Sequence, residues 1–168
     1  MANSTTDTNG EEATPTAIDG EYDSLRFTAG SVVGGLLGTV LMTGAFATAS
    51  ALYGPDIGIY ETLADLAGVA TGRTVGLGLF LGAGVLAWPL MFATLGPYLP
   101  GESATARGVV FGMTLWFGFL AGFATNYAGL DLVVFVAFSG VNHLVYGALL
   151  GIAGSRATGG SVPPRPEV

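Results

Sequence analysis

His143 is the only histidine of the chain, and it stands in the uncharged stretch "FSGVNHLVYGALLG". Imidazole can accept or donate a hydrogen bond, carry a proton near neutral pH or ligate a metal. In helical register Ser139, His143 and Tyr146 share a face by spacings of four and three, with Asn142 on the adjacent face. Three uses compete. A neutral, structural His143 would hydrogen-bond a threonine of the first apolar run or Ser139 and tie helices together. A ligating His143 could pair with Met42 as the opposite axial ligand of a haem, or hold a metal. A proton- or ligand-handling His143 would act with Tyr146 and Asn142 beside it. The structural use leads. No second histidine exists for a bis-histidine site, and no Asp or Glu lies in the apolar runs to continue a proton path.

His143 must be positioned by helices that cross a membrane. Charged residues are only 10% of the 168, and mean hydropathy is +0.62, whereas soluble domains carry about 25% charge. Four uncharged apolar runs stand out: Phe27 to Tyr53, Thr74 to Tyr98, Gly108 to Tyr127 and Leu132 to Gly154. Each has the roughly 20 residues needed to span hydrocarbon. Lipid offers no partner for backbone amides, so helices are the expected form. The expected fold is an all-α membrane protein of four transmembrane helices. Its transmembrane domain should cover 25–155, between a disordered acidic tail over 1–24 and a flexible tail over 156–168. Six of the twelve acids precede residue 25, and no secretory signal pattern is visible there.

Between the first two runs, Ile59, Leu63, Leu66 and Ala70 recur at spacings of three and four, with Glu61 and Asp65 on the other face. This predicts a short amphipathic helix lying at the outer membrane surface, with Asp56 after Pro55 as its cap. Pro89 should kink the second run near Leu86 to Trp88, and Pro97, Tyr98 and Pro100 should end it. The arginines set orientation. Arg26, Arg107, Arg156 and Arg165 fall on one side and Arg73 on the other, which puts both termini in the cytoplasm of a multi-pass protein of the cell membrane.

Midpoints of the four runs fall at one depth, which brings Thr39, Met42, Thr43, Trp88, Thr114, Trp116 and His143 near the midplane. Thr39 and Thr43 join Ser139, Asn142, His143 and Tyr146 as the candidate polar cluster. Glycines repeat at four-residue spacing: Gly30, Gly34 and Gly38; Gly72 and Gly76; Gly78 and Gly82; Gly108 and Gly112; Gly118 and Gly122; Gly147 and Gly151. Faces without side chains let helix backbones touch, within the bundle or against another membrane protein.

Enzyme signatures are missing. The sequence has no G-x-S-x-G, H-E-x-x-H, phosphate-binding loop or paired carboxylates in the apolar runs, so no enzymatic activity is expected. Cysteine is absent, which removes disulfides and thiolate metal sites. A net charge of −7 argues against nucleic acid as a partner. No cofactor is expected, haem at His143 and Met42 being the minority alternative.

An acidic chain whose basic residues are all arginine resembles the proteins of salt-accumulating archaea. The stretches "GSVVGGLLGTVLMT", "GIYETLADLAGV", "WPLMFATLGPYLPG", "RGVVFG" and "NHLVYGALLG" are similar to those of an uncharacterised haloarchaeal family of small four-helix membrane proteins. Members are sometimes loosely labelled cytochrome oxidase subunit I. That subunit has about a dozen spans and six ligating histidines, so the resemblance implies association with a terminal oxidase or related electron-transfer complex and not its metal centres. The leading expectation is therefore a non-catalytic accessory subunit embedded in the bilayer and packed against a larger membrane complex. The alternative is an independent ligand-, haem- or solute-binding or transport protein built around His143.

Overall fold

The computed structural model describes residues 17–53, 58–69 and 72–160. The expected cap Asp56, together with Pro55, Ala70 and Arg165, lies outside the described residues. Every regular element among the described residues is helical: α1 (Ala17–Tyr53), α2 (Ile59–Leu66), α3 (Arg73–Gly82), a π-helical turn (Ala83–Ala87), α4 (Trp88–Leu95), α5 (Ala104–Phe123) and α6 (Gly129–Ala157). Four segments are long and apolar enough to cross a membrane: Asp23–Leu52, Arg73–Tyr98, Ala104–Asn126 and Gly129–Ala157. Large apolar side chains face outward on these segments, among them Val33, Val40, Leu41, Phe117, Val133 and Val141. So much exposed apolar surface fits lipid as the surrounding medium.

The helices start earlier than the uncharged runs. α1 begins at Ala17, eight residues inside the segment expected to be a tail, and at about 1.5 Å per residue its 37 residues outreach the hydrocarbon layer. α5 starts at Ala104, where Ser103 accepts from the Ala106 amide at 3.1 Å, satisfying one of the unpaired donors of a first turn. α6 ends in a left-handed turn at Gly159, φ 67°, with the Gly160 amide donating to Ser155 O at 2.7 Å. The last carbonyls of the helix are thereby paired.

Packing follows the glycines. A Cβ at Gly30 would run into Ala153, at Gly34 into Leu149 and at Gly38 into Tyr146, so α1 lies antiparallel on α6. Gly108 and Gly147 present their backbones to each other, Gly112 meets His143 O, and Gly151 meets Ala104 O. α5 therefore lies antiparallel on the same helix. Gly35 sits against Pro89 and Gly84 against Thr39, which places the second apolar segment on the far side of α1. The order around the bundle is second, first, fourth, third. The second and third segments meet near the terminal end, where Phe92 packs 5.5 Å from Phe111 and the Gly96–Tyr98 turn approaches α5. Toward the connector end a space remains between them.

Eight of the thirteen glycines in these repeats (Gly30, Gly34, Gly38, Gly76, Gly108, Gly112, Gly147 and Gly151) are packed against other parts of the chain. Gly118 and Gly122 are not. Nothing lies within 4 Å of a Cβ at Gly118, and a Cβ at Gly122 would meet only Leu66, at 3.4 Å.

The irregularity ahead of Pro89 overlaps the expected kink and extends a few residues before it. The chain takes an i→i+5 turn over Ala83–Ala87, closed by the Trp88 amide on Ala83 O. In that register the next donor should reach Gly84 O, but it is Pro89, which has no N–H.

α2 folds back over the bundle. Ile59 and Ala64 are buried, Gly76 lies against Tyr60 O, and Arg73 is 4.0 Å from Glu61 with its guanidinium 5.6 Å from the Tyr60 ring. Its first residue follows Gly58 in the left-handed conformation, φ 63°. Burial raises the pKa of the Tyr60 hydroxyl above its ordinary value. The Thr43 hydroxyl beside it opposes the rise and Glu61 adds to it, so Tyr60 stays protonated. Replacing Gly76 by valine should lift α2 from α3, because the new side chain has only the Tyr60 backbone to displace. Limited proteolysis of the connector should become several-fold faster in Gly76→Val and stay unchanged in Gly78→Val, whose Cβ meets nothing within 4 Å.

Candidate functional site

The space between the second and third apolar segments is a cavity of ≈ 420 Å³. α1 contributes Thr39 and Met42, the second segment Phe80, Gly84 and Trp88, and α5 Thr114, Gly118, Phe119 and Gly122. His143 and Tyr146 of α6 form its back, and Ile59, Leu63 and Leu66 of α2 cover its connector end. The two open glycines of α5 are what make the room, since four-residue spacing puts both on the face that no helix fills.

Tyr146, Thr114 and His143 of this wall have traceable hydrogen-bond partners, and Thr39 does not. Tyr146 donates its hydroxyl to Gly84 O at 2.6 Å. That carbonyl is the one Pro89 cannot serve, so a residue 62 positions away repairs the break in the second segment. Thr114 donates back to Val110 O at 3.0 Å. His143 lies 2.8 Å through Nδ1 from Ser139 O, one turn back on its own helix, and its ring packs 5.0 Å from Phe119. Among the described residues this is the one hydrogen bond of His143. Of the two expected partners, a threonine of the first run and Ser139, His143 takes Ser139, so its bond lies within α6 and does not itself join two helices. Bonds that do join helices include Tyr146 to Gly84 O, Trp116 Nε1 donating to Ser139 Oγ at 3.1 Å and Ser31 Oγ donating to Leu150 O at 3.4 Å. Thr39 Oγ1 is buried and has no partner.

Of the candidate cluster, His143, Tyr146, Thr39 and the separately proposed Met42 meet at the cavity. Ser139 holds His143 and Trp116 from behind. Asn142 donates to Phe138 O at 2.8 Å and is not part of the lining. Thr43 donates to Thr39 O at 2.8 Å and faces Tyr60 instead. Trp88 and Thr114, expected at the level of His143, line the same cavity, as do Phe119 and Gly84, which the residue pattern did not single out, and the repeat glycines Gly118 and Gly122. Pro89 was the visible signal for Gly84, since a proline always leaves some carbonyl four or five residues earlier without its donor.

The wall is otherwise apolar and holds no charged side chain. His143 and Met42 both line it, but a haem's carboxylates would find no cation there. Among the described residues no group of three or more His, Cys, Asp or Glu is placed to hold a metal.

The sequence from residue 25 to 162 matches the model of a family of unknown function, DUF6789. The chain belongs to that family. No curated protein and no solved structure matches it. As a DUF6789 member it inherits no assigned activity, so its chemistry has to be argued from the cavity.

Proposed function

We propose that this chain is an independent, non-enzymatic membrane protein that binds a small apolar molecule in the cavity at His143. It sits in the cell membrane with both termini in the cytoplasm, as the arginine distribution favours, and α2 lies at the outer interface. The observation that carries this function is a mostly apolar cavity of ≈ 420 Å³ with a few polar side chains, Thr39, Thr114, His143 and Tyr146 among them, in its wall. That is the usual make-up of a ligand site, with apolar walls for affinity and one or two polar atoms for orientation. The four-helix core needs no such gap to fold. A side chain at position 118 would start into that gap, since a Cβ there meets nothing within 4 Å, and leucine would occupy part of it.

The test is a comparison of solvent extracts. Protein purified gently from its own host's membranes should carry a stoichiometric apolar compound detectable by mass spectrometry. Gly118→Leu should purify equally well with that compound reduced at least tenfold. Identical extracts from both proteins, matching bulk lipid, would refute the proposal.

A second function is favoured by Gly78 and Gly82, which lie four apart on α3 with nothing within 4 Å of either. That open face suits a larger membrane complex. Together with the lysine-free acidic composition and the resemblance to a haloarchaeal family, it supports the accessory-subunit function beside a respiratory oxidase. Migration of the gently extracted protein as a large defined complex on a native gel would favour it, and migration as a monomer or small homo-oligomer would remove it.

A further inference from the structure

We infer that the occupant of the cavity is a lipophile bearing a hydroxyl, taken sideways out of the bilayer and held by its O–H donating to His143 Nε2. The inference rests on the ligand-binding function proposed above and narrows it to one chemistry.

The tautomer follows from the partner. Ser139 O can only accept, so the Nδ1 that lies 2.8 Å away must carry the hydrogen. No acid lines the cavity to hold the ring as a cation, and a lone charge at this depth is costly. A neutral imidazole that donates at Nδ1 presents a lone pair at Nε2. The other hydroxyls of the wall do not meet it. Tyr146 is committed to Gly84 O and Thr114 to Val110 O. No donor of the wall reaches Nε2, since the one hydrogen bond of His143 among the described residues is at Nδ1 and the Thr39 hydroxyl is unpartnered. A ligand whose only polar atom is a carbonyl or ether oxygen would set lone pair against lone pair, while an O–H would complete the ring's hydrogen bonding. Thr39 Oγ1, 2% exposed as a residue and unpartnered, adds a second polar atom with unused capacity in the same wall.

The direction of entry follows from which lining residues are exposed. Trp88, 36% exposed, belongs to the second segment, and the exposed Thr114 and Gly118 to the third. These are the two segments that leave a space between them, and the exposed residues sit near the middle of membrane-length helices. The connector end is closed by α2, with Ile59 only 4% exposed. The open side therefore faces hydrocarbon, which admits molecules already dissolved in lipid and disfavours sugars, anions and cations.

The probes are radiolabelled para-octylphenol and its methyl ether, para-octylanisole, which differ by one O–H. Binding is measured by equilibrium with the full chain in lipid nanodiscs, subtracting protein-free discs. Wild type should bind the phenol about tenfold more tightly than the ether, the worth of one good buried hydrogen bond. In His143→Phe the two should bind within twofold of each other. In Gly118→Leu both should lose saturable binding. Equal affinity of wild type for phenol and ether, with both displaced in Gly118→Leu, overturns the hydroxyl inference and leaves the cavity function standing. Absence of saturable binding for either probe overturns the cavity function as well. The wild-type comparison needs no variant to fold, so instability of His143→Phe would not shelter the inference.

Discussion

Gly147→Ala should destabilise the protein by about 1–3 kcal/mol, and Gly147→Leu should prevent it from assembling. Overpacking of a tight core costs that much for a single added methyl group, and here the obstruction is backbone. A Cβ on Gly147 points at Gly108 O and at the Gly112 amide nitrogen, 2.9 Å away, and Gly108 points back at Gly147 O. Neither helix can turn a side chain aside, so α5 and α6 must separate along their length. That separation would also pull His143 O away from Gly112, disturbing the back of the cavity. Gly78→Ala is the control. Its Cβ meets nothing, so it should be neutral or gain up to about 1 kcal/mol of helix propensity. Reversible unfolding in mixed micelles reads both. A loss for Gly147→Ala no larger than that of Gly78→Ala would mean that α5 and α6 do not touch there.

The second large effect belongs to Tyr146. Tyr146→Phe removes the donor to Gly84 O and leaves a buried carbonyl unsatisfied, at a cost of about 1–3 kcal/mol. The cause of that carbonyl's need can be tested separately. Pro89→Ala returns an N–H to the second segment, so the helix can satisfy its own carbonyls. In that background Tyr146→Phe should cost less than half as much, an interaction that a double-mutant cycle isolates. Equal costs in both backgrounds would show that Tyr146 is not serving the carbonyl left by the proline.

These two sites also show what the sequence could and could not convey. Four membrane-length helices were legible because uncharged runs of about 20 residues have few other uses. Their ends were not, since α1 carries Glu21, Asp23 and Arg26 within its first turns and α6 admits Asp131, and charge alone does not stop a helix. The spacing of Gly108 and Gly112 is identical to that of Gly118 and Gly122. One pair meets Gly147 and His143 while the other borders a void, because spacing fixes a face and not what lies opposite. That His143 lies level with Thr39, Met42, Trp88 and Thr114 was readable from run midpoints, and all five line one cavity. The partner of His143 was not, as the carbonyl one turn back is within reach of the ring whatever the tertiary fold provides. The Gly84 carbonyl depended on a π-helical register that no residue pattern specifies, although Pro89 marked the neighbourhood.

The central claim is that the space between the second and third segments takes lipophiles from the bilayer. Its most direct test is photolabelling of the nanodisc-embedded chain with a diazirine-bearing alkylphenol, followed by peptide mapping with and without excess para-octylphenol. Label is expected on Phe80, Trp88, Leu115 and Phe119, lost under competition. Label spread over the outward-facing Val40, Leu41, Val133 and Val141, and unaffected by competitor, would contradict it.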